Sequence, residues 1–81
     1  MTMDYYAEAR EIARCLERDG LVDDARALRN AIDSGSTGTE ILMALRWHLQ
    51  RIDKARPAAA SSESRRHIRS LEAALGAVLG S

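Results

Sequence analysis

Apolar residues recur at intervals of three and four along most of the chain, and no stretch alternates between apolar and polar residues as a half-buried strand does. This spacing places the apolar side chains on one stripe of a helix, and such stripes must be buried against one another. Four segments carry the pattern. The predicted helices span residues 4–18, 22–32, about 37–55 and about 61–79. The sequence therefore predicts an all-α fold, a small bundle of about four helices.

The length of the chain limits the architecture. A chain of 81 residues forms one domain that buries only about 60 to 65% of its unfolded surface. We expect residues 1–81 to be a single helical domain, with residues 56–62 as an interhelical linker because Pro57 breaks the third helix. Two arrangements fit: a four-helix bundle within one chain, or a three-helix core whose C-terminal helix packs on a partner copy.

Leu, Ile and Ala must supply most of the core, because the chain has no Phe, one Trp and two Tyr. Asp4 is the expected N-cap of the first helix, and Thr37 and Glu40 fit a capping box at the start of the third. The inward stripes are predicted to contain Tyr5, Ala9, Ile12, Leu16; Leu21, Ala25, Leu28, Ile32; Ile41, Leu42, Leu45, His48, Leu49, Ile52; and Ile68, Leu71, Leu75, Val78, Leu79.

The charge of the chain is balanced overall but unevenly distributed. The formal net charge is zero, yet residues 1–42 carry nine acids and five arginines, net −4, and residues 43–81 carry seven bases and three acids, net +4. Nucleic-acid binders of this size usually have a surplus of Lys and Arg, so the sequence disfavours nucleic acid as a partner. Pairing with the acidic half is the simpler explanation of the bases, which are Arg46, Arg51, Lys54, Arg56, Arg65, Arg66 and Arg69.

The sequence carries no mark of export or membrane insertion. No basic segment followed by an apolar one stands at the N-terminus, and the longest uncharged apolar stretch, residues 73–79, is too short to span a membrane. Cys15 is the only cysteine, so the chain cannot form an internal disulfide. We therefore expect a cytoplasmic protein with no membrane association.

The candidate catalytic and metal-binding groups do not form a known motif. Cys15 lies in no nucleophile signature, and His48 falls at the margin of an apolar stripe, where a half-buried structural histidine is expected. Glu63 and His67 supply only two of the ligands that a zinc site needs. Residues 35–39 lack the lysine of a phosphate-binding loop. The sequence predicts no enzyme, and no catalytic residue, cofactor or metal.

Two groups of residues have the character of a partner-binding surface. Met43, Arg46, Trp47 and Gln50 lie on the third helix away from its inward stripe, and they combine residue types that anchor interfaces. The alternative is that the first or fourth helix covers Met43 and Trp47. The second group is an acidic edge of the first helix that would suit a basic partner, although acids near a helix N-terminus also complement the helix dipole; it consists of Asp4, Glu8 and Glu11.

Residues 35–49, GSTGTEILMALRWHL, resemble a segment of small helical bacterial immunity proteins of contact-dependent growth inhibition and related toxin systems. The resemblance covers 15 of the 81 residues. It implies a cytoplasmic, non-enzymatic protein that binds one toxin domain, often a nuclease, and occludes its active site or substrate surface. No residue role is carried over from the resemblance.

The sequence predicts a non-enzymatic protein-binding module, an immunity or antitoxin-like inhibitor whose partner is a toxin domain. In this hypothesis Trp47 and Met43 anchor in an apolar site of the partner. Arg46 and Gln50, or the acidic edge of the first helix, set the register of the two proteins. One alternative is a structural or regulatory homodimer completed by the fourth helix. The other is a nucleic-acid-associated module that uses the arginines of the basic half.

Overall fold

The computed structural model describes residues 3–34, 37–55 and 59–80. Within these residues the chain forms four α-helices and no strand, so the predicted all-α fold is confirmed. Residues 56–58 of the predicted linker, residues 56–62, lie outside the described residues. Ser62, its last residue, is already the first residue of a helix. The helices are α1 (Tyr5–Arg18), α2 (Val22–Asp33), α3 (Gly38–Ala55) and α4 (Ser62–Leu79).

The four helices close into a bundle within one chain. Each helix packs against its neighbours in sequence, and α4 packs against both α3 and α1. The inward residues of α4 are buried within this chain; they are Ile68, Leu71 and Leu75. The four-helix arrangement is therefore correct, and α4 needs no partner copy to bury its apolar stripe.

Local signals in the sequence set the helix starts. The Asp4 carboxylate accepts a hydrogen bond from the amide of Ala7 at 3.1 Å, as expected of an N-cap. The Thr37 hydroxyl accepts one from the Glu40 amide at 3.3 Å, as the capping box predicts. Gly20 follows α1 with a φ of 87°, a left-handed conformation that glycine adopts without strain.

The core consists almost entirely of aliphatic side chains, and the predicted stripes supply most of it. The largest fully buried apolar residues are Ile12, Leu16, Leu28, Leu45, Leu49, Ile68, Leu71 and Leu75. Leu42 and His48 are only half-buried. The prediction of Val78 as a core residue is wrong, because 51% of it is exposed. Val78 lies at the margin of its stripe and in the last turn of α4, at the end of the bundle.

Asp19 joins the end of α1 to the start of α4. Its carboxylate accepts hydrogen bonds from the Ser61 amide at 2.9 Å and from the Ser64 hydroxyl at 2.7 Å. Ser61 is the N-cap of α4, so a negative charge lies where the helix dipole is positive. The bond from the Ser61 amide, followed by that from Ser64, lowers the pKa of Asp19. This contact fixes the start of α4 against the turn between α1 and α2.

Replacing Asp19 by Ala should lower the free energy of unfolding by about 1–3 kcal/mol, because the fully buried Ser64 hydroxyl and the Ser61 amide lose their acceptor. The matched control is Asp23→Ala, at the exposed start of α2, which should cost less than about 1 kcal/mol. Urea denaturation measures both values. Equal losses in the two variants would contradict the role given to Asp19.

The Asp19 carboxylate also predicts that the free energy of unfolding falls at acid pH. The pKa of Asp19 is lower in the folded protein than its unfolded value of about 3.9, so its contribution is present above that pH and is lost as the pH falls through the folded pKa. Asp19→Asn cannot titrate at this position. The stability of the wild-type protein should therefore fall more steeply than that of the variant below about pH 4. Parallel pH profiles in urea denaturation would refute this.

Candidate protein-binding site

The outer face of α3 carries two large apolar side chains. Its inward stripe buries Ile41, Leu45 and Leu49. A helix turns by about 100° per residue, so Met43 and Trp47, each two residues from Leu45, lie on nearly the opposite face. Met43 is 57% exposed and Trp47 is 56% exposed. The alternative in which α1 or α4 covers them is wrong. The only tryptophan of the chain lies outside the core.

The four candidate residues of α3 line one surface cavity. It has a volume of about 480 Å³. Its lining consists of Thr39, Met43, Arg46, Trp47, Gln50 and Leu79. The structure thus brings together the whole α3 group that the sequence predicts.

A second cavity, of about 470 Å³, continues from the first between α3 and α4. The two share Arg46 and Gln50, so they form one depression, which we call the α3–α4 groove. The remaining residues of the second cavity are Arg69, Glu72, Ala73, Gly76 and Ala77. The sequence prediction missed this α4 side. Its signal is weak: small residues at positions 73, 76 and 77, at helical spacing.

Arg46 lies across the groove onto α4. A Cβ atom at Gly76 would be 3.9 Å from its Nη2 atom, so the guanidinium lies against the α4 backbone. Glu72 is half-buried nearby, and burial, followed by the charge of Asp53, raises the pKa of its carboxyl. The cationic side chains around Glu72, Arg46 among them, act in the opposite direction. Glu72 is the one carboxylate among the described residues that line the two cavities.

Neighbouring side chains hold the indole ring of Trp47. The Arg51 guanidinium carbon lies 5.3 Å from the ring centroid. The His48 ring meets the indole edge-on, at 4.9 Å between centroids and 82° between planes. Burial, followed by the charge of Arg51, lowers the pKa of His48, which favours the neutral imidazole. These contacts restrict the ring while leaving its outer part open to a partner.

The acidic group of α1 does not join this site. Asp4, Glu8 and Glu11 do not line the α3–α4 groove, and each has a partner within the chain. These partners are the Ala7 amide for Asp4, His67 Nδ1 for Glu8 at 2.9 Å and Arg14 for Glu11 at 3.3 Å. The two predicted groups therefore do not form one site.

The candidate catalytic and metal-binding residues are either buried or paired with other side chains of the bundle. Cys15 is buried, and burial raises the pKa of its thiol, which disfavours the reactive thiolate. Glu63 is 3.1 Å from Arg18 and 3.8 Å from the Cys15 sulfur, whereas His67 pairs with Glu8. In residues 3–34, 37–55 and 59–80, no group of three or more His, Cys, Asp and Glu is placed to hold a metal.

Comparison with known proteins returns no match for this chain among family models, curated proteins or solved structures. No helix in the described part of the chain is long and apolar enough to cross a membrane.

The exposure of Trp47 predicts a small effect of its removal on stability. Trp47→Ala should change the free energy of unfolding by about 1 kcal/mol or less, since more than half of the residue faces solvent. Leu45→Ala, in the same helix, should cost about 2–5 kcal/mol because Leu45 is fully buried. Urea denaturation distinguishes the two. A loss at Trp47 as large as that at Leu45 would show that the indole belongs to the core.

Proposed function

We propose that this protein is a non-enzymatic protein-binding module and that the α3–α4 groove is its binding surface. The observation that carries the proposal is the exposure of Met43 and Trp47 side by side at one cavity. Trp, Met and Arg are enriched in interfaces, and buried aromatic anchors dominate binding energies. An exposed Trp adds little to the stability of a bundle whose core is aliphatic, so its position fits a role in recognition.

Binding would proceed by insertion of Trp47 into an apolar site of the partner. Contacts with Arg51 and His48 already restrict the indole, which reduces the entropy lost on binding. Arg46 and Gln50 lie beside it in the same cavity and can donate hydrogen bonds to the partner. The bound protein would then occlude the surface that it covers.

A narrower form of the proposal is an immunity or antitoxin-like inhibitor that acts in the cytoplasm. It would neutralise a toxin domain by occluding its active site or substrate surface. The acids that would suit a basic nuclease, Glu8 and Glu11, have partners within the chain. We therefore place the inhibitory contact at the α3–α4 groove rather than at the acidic edge.

Co-expression with the product of the neighbouring gene tests this narrower form. If that product is toxic, the wild-type protein should restore growth and Trp47→Ala should fail to do so at equal abundance. A neighbouring product without toxicity, or equal rescue by both proteins, contradicts the toxin-inhibitor proposal.

Two observations count against the alternatives. A homodimer completed by α4 is unnecessary for folding, because α4 buries its stripe within one chain. In a nucleic-acid module the arginines would face phosphates, yet Arg51 lies 3.7 Å from Asp24 and Arg69 lies 3.8 Å from Asp53. Such pairs reduce the charge that these side chains offer to a phosphate backbone.

Trp47→Ala should weaken the complex with a partner recovered from the source cells by at least about 2 kcal/mol, a rise in Kd of about 30-fold. The matched control is Val22→Ala, an apolar residue of α2 that is 47% exposed outside the groove. Its Kd should remain within about twofold of wild type. Isothermal titration calorimetry measures both values. An unchanged Kd for Trp47→Ala would refute the proposed surface.

A further inference from the structure

We infer that the α3–α4 groove receives one amphipathic helix from a partner whose flanking residues are acidic. This inference rests on the proposed function and adds the chemistry of the partner. The groove lies between two helices, and the described residues contain no strand edge to which an extended peptide could add. Helix-in-groove docking is the recognition mode that such a surface supports.

The length of the groove suits a helix of about three turns. Its α3 side begins at Thr39. Its α3 side ends at Gln50, and its α4 side runs from Arg69 to Leu79. At 1.5 Å per residue, α3 covers about 16 Å between Thr39 and Gln50, the length of about 11 residues of a partner helix.

The two sides of the groove differ in height. Met43 and Trp47 stand on the α3 side. The α4 side presents small residues, namely Ala73, Gly76 and Ala77. Arg46 lies against Gly76, so an occupant must displace its guanidinium toward solvent. The low side chains of α4 then let the axis of the bound helix come close, while the taller α3 side contacts its apolar stripe. An occupant with apolar residues at intervals of three, four and seven fits this cross-section.

The charge around the groove selects an acidic occupant. The groove and the adjoining cavity beside Trp47 are lined by four cationic side chains and one carboxylate. These are Arg46, Arg51, Lys54 and Arg69, against Glu72. Asp24 and Asp53 pair with Arg51 and Arg69, so four cations against three carboxylates leave a net charge of +1. Arg46 and Lys54 carry this surplus. Asp or Glu on the flanks of a bound helix would complement this charge, and Lys or Arg would be repelled.

A displayed peptide library tests the inference on the intact protein. The library holds helix-forming peptides of about 15 residues with apolar positions at intervals of three, four and seven, and with flanking positions randomised among Glu, Gln and Lys. Selection on the wild-type protein should enrich Glu at the flanks. The selected peptides should shift the amide resonances of groove residues in α3 and α4 when added to ¹⁵N-labelled protein.

Charge reversal in the groove supplies the matched test. Arg46→Glu should weaken the selected peptides by at least about tenfold. Arg14→Glu should leave their affinity within about twofold, because Arg14 is exposed on α1 outside the groove. Circular dichroism melting of both variants shows whether each is folded. If Arg46→Glu unfolds the protein, Lys54→Glu takes its place with the same expectation.

The inference is overturned if Lys-flanked peptides are enriched, if no peptide is enriched, or if the resonance shifts lie outside the groove. It is also overturned if the groove resonances shift with protein concentration alone, since a second copy is then the occupant. The affinity of Trp47→Ala for the native partner distinguishes failure of this inference from failure of the proposed function. If Trp47→Ala weakens the native partner while Lys-flanked peptides are selected, the proposed function stands and only the acidic helix is wrong.

Discussion

Burial of one aliphatic stripe per helix is the constraint on which the rest of the structure depends. With Leu45 and Leu49 facing the core, the helical period leaves Trp47 on the outer face of α3. The same requirement turns Leu71 and Leu75 of α4 inward and leaves small residues facing outward beside α3. The α3–α4 groove is thus a consequence of the core register. Trp47 lies at the edge of this groove and not in the core.

The groove keeps its shape only if α4 is fixed against the other helices. Asp19 provides one fixed point, because its carboxylate binds both Ser61 and Ser64 at the start of α4. The pairing of Glu63 with Arg18 adds a second contact between the same two helices. In a chain this small the apolar core alone contributes modest stability, so such polar contacts matter for where α4 lies. Contacts that fix α4 therefore contribute both to the stability of the bundle and to the shape of the α3–α4 groove.

Local patterns predicted the helices and the caps at Asp4 and Thr37, because helical period and capping depend on neighbouring residues in sequence. They placed Trp47 off the inward stripe of α3 but left open whether α1 or α4 covers it. The exposure of Val78 was not predictable in this way, since burial at a margin depends on how far the other helices extend. The pairing of Glu8 with His67 joins residues far apart in the chain. The α4 side of the groove was missed for the same reason: only the tertiary packing places Gly76 under Arg46.

The fluorescence of the single tryptophan tests the central claim most directly, because Trp47 is the only indole in the chain. In the free protein its emission should be that of a solvent-exposed indole and should be quenched readily by acrylamide. On binding the native partner, the emission should move to shorter wavelength and the quenching should fall, as the indole enters an apolar site. Emission of a buried indole in the free protein, or an unchanged spectrum in the complex, would contradict the account.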